Sequence, residues 1–156
     1  MAESRRSIYT AEAHVTGGRQ EGHGRTSDGA LEVDLRAPEE MGGSGGGTNP
    51  EQLFAIGYAA CFESALGAAA RRRRQEVRDV AIDSRVMLQP TEDRRYELAV
   101  ALAVTLPSVD DPDEAVELVR AAHEICPYSN ATRGNIDVSL TANGRDVEAT
   151  SDPLVS

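Results

Sequence analysis

From Leu53 to Ala70 the chain reads LFAIGYAACFESALGAAA, eighteen residues with Glu63 as the single charge. The run is about as long as a membrane span. It is dominated by Ala and Gly, however, which bury little hydrocarbon area, so it reads as the buried core helix of a soluble protein. A helix that is apolar all round has no wet face, and whatever fold it joins must cover every side of it. Both of its ends are signalled. Thr48 or Asn49 can cap the start, Pro50 suits the first helical position and Glu51 suits the first turn. Arg71-Arg72-Arg73-Arg74 place cations where the macrodipole favours them, so the helix is predicted to end at about Arg74.

Around this helix the pattern is that of an α+β domain. Residues 7–16 alternate weakly and read as a strand ending at Gly17-Gly18. Residues 17–29 read as a polar turn closed by Ser27-Asp28-Gly29. Leu31, Val33 and Leu35 alternate with charged residues, a half-buried strand. Residues 77–89 and 95–106 read as two further strands, the second nearly all apolar and therefore central. Asp111-Pro112-Asp113-Glu114 opens a second helix with its apolar stripe at Val116, Val119, Ala122 and Cys126. Ile136, Val138 and Leu140 mark a last strand. The predicted order is β-β-α-β-β-α-β with antiparallel connections, in one domain over 1–143. A polar tail over 144–156 is expected to be loose.

Charge narrows the function. A net charge of −10 on 156 residues argues against a nucleic-acid partner, which needs a basic face. The N-terminal MAESRRSIYT has no apolar signal region, so a cytoplasmic, reducing location is expected, where a static disulfide is disfavoured. The loop GGSGGGT (42–48) lacks the lysine of a phosphate-binding loop and reads as a mobile connection. Cys61, His123 and Cys126 offer three metal ligands, but there is no C-x-x-C pair and His123 is placed on the exposed side of its helix, so no metal is expected.

That leaves thiol chemistry. Taken alone, Cys61 would be a small buried hydrophobe. Pro127 disfavours helical geometry at the residue before it, which puts Cys126 at a helix edge. Two lone cysteines on two helices are what an attacking and a resolving thiol require: the first is oxidised to a sulfenic acid and the second condenses with it. The attacking thiol needs a nearby cation to lower its pKa. The residue pattern does not say which arginine supplies it.

The runs GGSGGGTNPEQLFAIGYAACF (42–62) and CPYSNATRGNI (126–136), preceded by TGGR (16–19) and SDG (27–29), resemble the signature blocks of the organic hydroperoxide resistance (Ohr) family within the OsmC/Ohr group. The likeness covers about residues 7–142. It implies antiparallel sheets wrapped around long central helices in an intertwined homodimer. It also implies a thiol peroxidase that reduces organic, fatty-acid-type hydroperoxides to alcohols without a cofactor or metal. Cys61 resembles the peroxidatic cysteine and Cys126 the resolving one. Arg19 resembles the arginine that holds the thiolate, and Glu51 the carboxylate that orients it. Recycling by a lipoylated protein or other dithiol is implied as well. Phe54, Ile56, Tyr58 and Phe62 are expected to line a greasy substrate pocket. The segment 20–26 looks about two residues longer than the family pattern, adding His23 and Gly24.

Two consequences follow. In one continuous helix, ten residues between Glu51 and Cys61 mean about 15 Å of rise and roughly 80° off a common face. If both serve one site, Glu51 and Arg19 arrive from a second subunit across a two-fold axis. The competing reading is a non-catalytic lipid-binding or redox-sensing dimer, since a fold does not compel chemistry.

Overall fold

The computed structural model describes residues 5–148, which fall into two compact units divided between Leu53 and Phe54. In the first unit, β1 (Ala13–Thr16), β2 (Glu21–Thr26) and β3 (Glu32–Arg36) form an antiparallel sheet in that order. β2 lies inside the segment expected to be a turn. Its alternation is real, with Gly22 and Gly24 buried and Glu21, His23 and Arg25 exposed, but glycine supplies no apolar signal. Gly22 has no substitute, because a Cβ there would lie 2.0 Å from the carbonyl oxygen of Gly18. Thr26, Asp28 and Ala30 close the Ser27-Asp28-Gly29 turn through the Asp28 carboxylate, which accepts from the Thr26 hydroxyl at 2.8 Å and the Ala30 N–H at 2.9 Å. A short 3-10 turn, Glu39–Met41, then leads to Thr48, which bridges in parallel to Leu35.

Helix α1 runs from Pro50 to Arg72. Asn49, rather than Thr48, is its cap, its side-chain oxygen accepting the Gln52 N–H at 2.8 Å. The far end comes two residues before the expected Arg74. Arg74 has a φ of 56°, the Gln75 N–H reaches the Ala70 carbonyl at 2.8 Å and the Arg74 N–H reaches that of Arg71. This is a Schellman ending with arginine at the position glycine usually holds.

In the second unit, β4 (Ala81–Pro90), β5 (Tyr96–Thr105), β6 (Val138–Ala142) and β7 (Arg145–Val147) form a sheet in that order, with β5 central as its apolar run predicts. One connection departs from expectation: β5 and β6 are parallel, pairing Val100 with Val138 through Val104 with Ala142. A parallel pair needs a long crossover. Here it consists of α2 (Pro112–Ile125) and a further short helix, α3 (Pro127–Thr132), which lay unread in the sequence. Asp111 caps α2 by accepting the Asp113 N–H. The start of the expected loose tail is ordered as β7, which pairs antiparallel with β6; residues 149–156 lie outside the described residues.

The core of this unit packs α1 residues Tyr58, Phe62, Leu66 and Ala69 with Val100, Leu102 and Val104 of β5 and Leu118, Val119 and Ala122 of α2. Phe62, Leu66, Leu102 and Leu118 are 0–1% exposed. Full burial of a side chain of this size contributes about 1.5–3 kcal/mol.

Candidate active site

Cys61 sits in the middle of α1, and Cys126 is at once the last cap of α2 and the first of α3. The proline that follows Cys126 holds it in extended geometry, φ −61° and ψ 123°. Its side chain is fully buried and that of Cys61 is half-buried. Both are free thiols, and the Cys126 S–H points at the Cys61 sulfur across 3.5 Å. Burial pushes the Cys61 thiol up from its ordinary value. The Tyr128 backbone N–H opposes that rise, and the neighbouring Cys126 adds to it. None of these groups is a cation.

Three aromatic rings flank the pair. Phe54 and Tyr58 meet edge to face at 5.8 Å, and Tyr128 lies 5.9 Å from Phe54 and 5.7 Å from Tyr58. Gly57 lets the Tyr128 ring approach α1, since a Cβ there would stand 3.2 Å from its hydroxyl. Of the four residues expected to line a pocket, Phe54 and Tyr58 belong to this cluster. Phe62 is wholly inside the core, and Ile56 is 71% exposed on another side of α1. Tyr128 was not singled out from the sequence. An aromatic two residues beyond Cys126 was the only signal.

Beneath the thiols lies a buried polar network that sequence reasoning also missed. The Tyr58 hydroxyl bonds the Ser129 hydroxyl at 2.8 Å and that of Thr132 at 3.0 Å, and Ser129 meets His123 Nδ1 at 2.9 Å. His123 is therefore buried, at 5% exposure, and not on the solvent side as expected. The sequence shows its helical face but not its partner, which comes from α3. Burial holds its pKa below the ordinary value, helped by Arg133. The Arg133 guanidinium in turn donates to the His123 carbonyl at 2.6 Å and to Asn130 at 2.9 Å. Among the described residues, no three His, Cys, Asp or Glu side chains come together in a way that could hold a metal ion.

Arg19 and Glu51 meet in the first unit. The two terminal guanidinium nitrogens engage one carboxylate oxygen each, Nη1 to Oε2 at 3.1 Å and Nη2 to Oε1 at 3.0 Å. Such a two-point pair fixes direction as well as distance. Burial pushes the Glu51 carboxyl up, but the Arg19 hydrogen bond, a backbone N–H and the Arg19 charge outweigh it and hold the carboxyl below its ordinary value. The Glu51 hydrogen bond raises Arg19 in return, against partial burial. His23, in the segment that looked long for the family, lies on β2 with its ring nitrogens 3.1 Å from Asp34 and 3.1 Å from Glu32 of β3.

Comparison with known proteins is consistent throughout. The family model described as OsmC-like protein matches residues 43–141. The organic hydroperoxide resistance protein of Xanthomonas axonopodis pv. citri is 49% identical over 143 residues, 90% of this chain and 99% of its own. A crystal structure of an organic hydroperoxide resistance protein from Legionella pneumophila superposes with a TM-score of 0.83 at 49% identity, covering 87% of this chain and 98% of that one. The crystal structure of Bacillus subtilis OhrB does so with a TM-score of 0.80 at 45% identity, covering 86% and 98%. With its two sheets, its long α1 and its paired thiols, this chain belongs to the OsmC-like family, among the organic hydroperoxide resistance proteins.

Proposed function

We propose that the protein is a thiol peroxidase that reduces organic, fatty-acid-type hydroperoxides to alcohols. The observation that carries this reading is the contact of two free thiols at 3.5 Å on two different helices. In the first step the Cys61 sulfur attacks the outer peroxide oxygen and the O–O bond breaks. The alkoxide leaves and takes up the thiol's proton to become the alcohol, and Cys61 becomes a sulfenic acid. In the second step Cys126 attacks the sulfenic sulfur, water departs and a Cys61–Cys126 disulfide forms. A dithiol, such as that of a lipoylated protein, then returns both cysteines to thiols and is itself oxidised to a cyclic disulfide.

The first step needs a cation, both to hold the thiolate and to meet the charge developing on the alkoxide. Arg19, oriented by Glu51, supplies it. Since α1 is unbroken from Pro50 to Arg72, Glu51 stands about 15 Å of rise before Cys61. We therefore assign the ion pair at each thiol site to a second copy of the chain, giving a two-fold dimer with two equivalent sites. Two observations support the dimer. Only 33% of the apolar stretch of α1 is buried within one chain. Ile56 lines an open groove together with Ser84, whose buried hydroxyl has no partner among the described residues. Of the aromatic cluster, Phe54 and Tyr128 are open enough to meet an apolar hydroperoxide tail, with the buried Tyr58 behind them.

The test is intact mass after one equivalent of cumene hydroperoxide, with sedimentation of the same sample. Loss of two protons mapped to Cys61 and Cys126, in a dimer, is expected. An unchanged thiol count would remove the peroxidase reading, and a strictly monomeric active species would remove the shared site.

A further inference from the structure

We propose that Ser129 is a positioning residue for disulfide closure, latching α3 so that Cys126 stays within reach of Cys61; this rests on the peroxidase reading above. α3 is only six residues long, Pro127–Thr132, too short to hold its own shape or place in isolation. Yet it carries the Cys126 sulfur at its first cap and the Tyr128 N–H that faces the Cys61 sulfur. A residue that bonds it to the other helices must fix it.

Ser129 does so in two directions at once. Its hydroxyl is 0% exposed and lies 2.8 Å from the Tyr58 hydroxyl of α1 and 2.9 Å from His123 Nδ1 of α2. One oxygen thus joins the helix that holds Cys61 to the helix that ends at Cys126. Tyr58 is three residues before Cys61, His123 is three residues before Cys126 and Ser129 is three after it, so each anchor sits within one turn of a reacting sulfur. Thr132 adds a second bond to Tyr58 at 3.0 Å.

The geometry separates the two chemical steps. Attack on the peroxide needs the Cys61 sulfur, the hydroperoxide and the Arg19 charge, and nothing from Ser129. Closure needs the thiol of Cys126, in contact at 3.5 Å, to displace hydroxide from the Cys61 sulfenic acid, releasing water as the S–S bond of about 2.0 Å forms. A hydroxyl can rotate to keep both partners while α3 makes that approach, which a fixed apolar contact could not. A loosened α3 leaves the sulfenic acid waiting, open to a second hydroperoxide that takes it to sulfinic acid.

The experiment compares wild type, Ser129→Ala, Ser129→Thr and Thr132→Val under organic hydroperoxide. Alcohol release in the first turnover, sulfenic acid trapped by dimedone, and disulfide formed are measured separately. Ser129→Ala is expected to keep the first-turnover rate within about twofold and to slow closure roughly tenfold, the scale of one buried hydrogen bond. Trapped sulfenic acid and sulfinic acid should rise together, and Ser129→Thr, which retains the hydroxyl, should restore closure. Thr132→Val should show the same defect in milder form and stands in if Ser129→Ala does not fold. Closure at the wild-type rate in the variants, or first-turnover and closure rates falling in parallel, would overturn this inference alone. A wild-type chain that forms no disulfide would overturn the peroxidase reading itself, and the inference with it.

Discussion

The thiols and the ion pair are held by two different kinds of structure. Cys126 is a member of a hydrophobic core and Cys61 packs against it, with Tyr58, Phe62, Leu66 and Leu118 fully buried around them. Arg19 and Glu51 belong to a unit whose buried hydrophobic residues, among those described, are Leu35 and Ala37, and the Arg19 side chain is 35% exposed. The difference matches what the proposed mechanism asks of each group. Two sulfurs that must bond need sub-ångström placement, which dense packing provides. A cation acts through a longer-ranged field and needs only its direction set, which one two-point carboxylate pair provides.

Substitutions can break that contrast. Cys61→Ser should have the largest effect, reducing peroxidase turnover to background in a steady-state hydroperoxide assay. Normal activity in that variant would end the assignment. Arg19→Ala should lower kcat/KM by about 10²–10³-fold, the scale of removing one preorganised charge-stabilising donor. Arg19→Lys should recover only part of it, because an ammonium cannot make the two-point contact. Equal activity of the Arg19→Ala protein and wild type would show that the ionic half is structural.

Stability should sort in the opposite sense. Leu66→Ala, in the core under the thiols, should cost about 2–5 kcal/mol in denaturant unfolding. Cys61→Ser and Arg19→Ala should cost far less, so a Leu66→Ala chain as stable as wild type would undo the idea of a packed thiol half. The smallest effect belongs to His23, whose pKa is raised above 6.5 first by its hydrogen bond to Asp34 and also by Glu32. A group raised on folding adds stability that is fully present below 6.5 and is lost as pH rises through its folded value. Wild type should therefore lose slightly more stability than His23→Gln between pH 6 and 9, and identical melting profiles for the two would show the contact to be idle.

Much of the architecture was legible, for identifiable reasons. The Asn-Pro-Glu start of α1, the Asp-Pro-Asp start of α2 and the apolar run of β5 are local signals that the tertiary structure leaves in place. β2 was hidden because its buried face is Gly22 and Gly24, and periodicity has nothing to count where side chains are absent. α3 was hidden because six residues opening on a proline carry no stripe. The burial of His123 was hidden because its partner, Ser129, belongs to that unread helix. The parallel pairing of β5 with β6 was not read, although the helix expected between the two strands is long enough for a crossover, because strand direction is set by tertiary packing and not by local pattern. Of the site, the two cysteines drew attention by their rarity and by Pro127. Arg19 and Glu51 were found only through resemblance, since thirty-odd residues of glycine-rich chain separate them and no spacing rule spans that gap.

One detail of the backbone bears on how the chain would accommodate the proposed disulfide cycle. Cys126 stands at the corner between α2 and α3, ending one helix and starting the other with a single extended residue. The Cys126 N–H donates to the Ala122 carbonyl at 2.8 Å and its carbonyl accepts the Asn130 N–H at 2.9 Å, so its sulfur can swing toward a neighbour by turning the side-chain angle while both helix-end bonds stay in place. The two helices keep their turns while the sulfur moves. Cycling between reduced and oxidised forms, as the proposed mechanism requires, would leave their turns intact, so the chain need not partly unfold in each cycle.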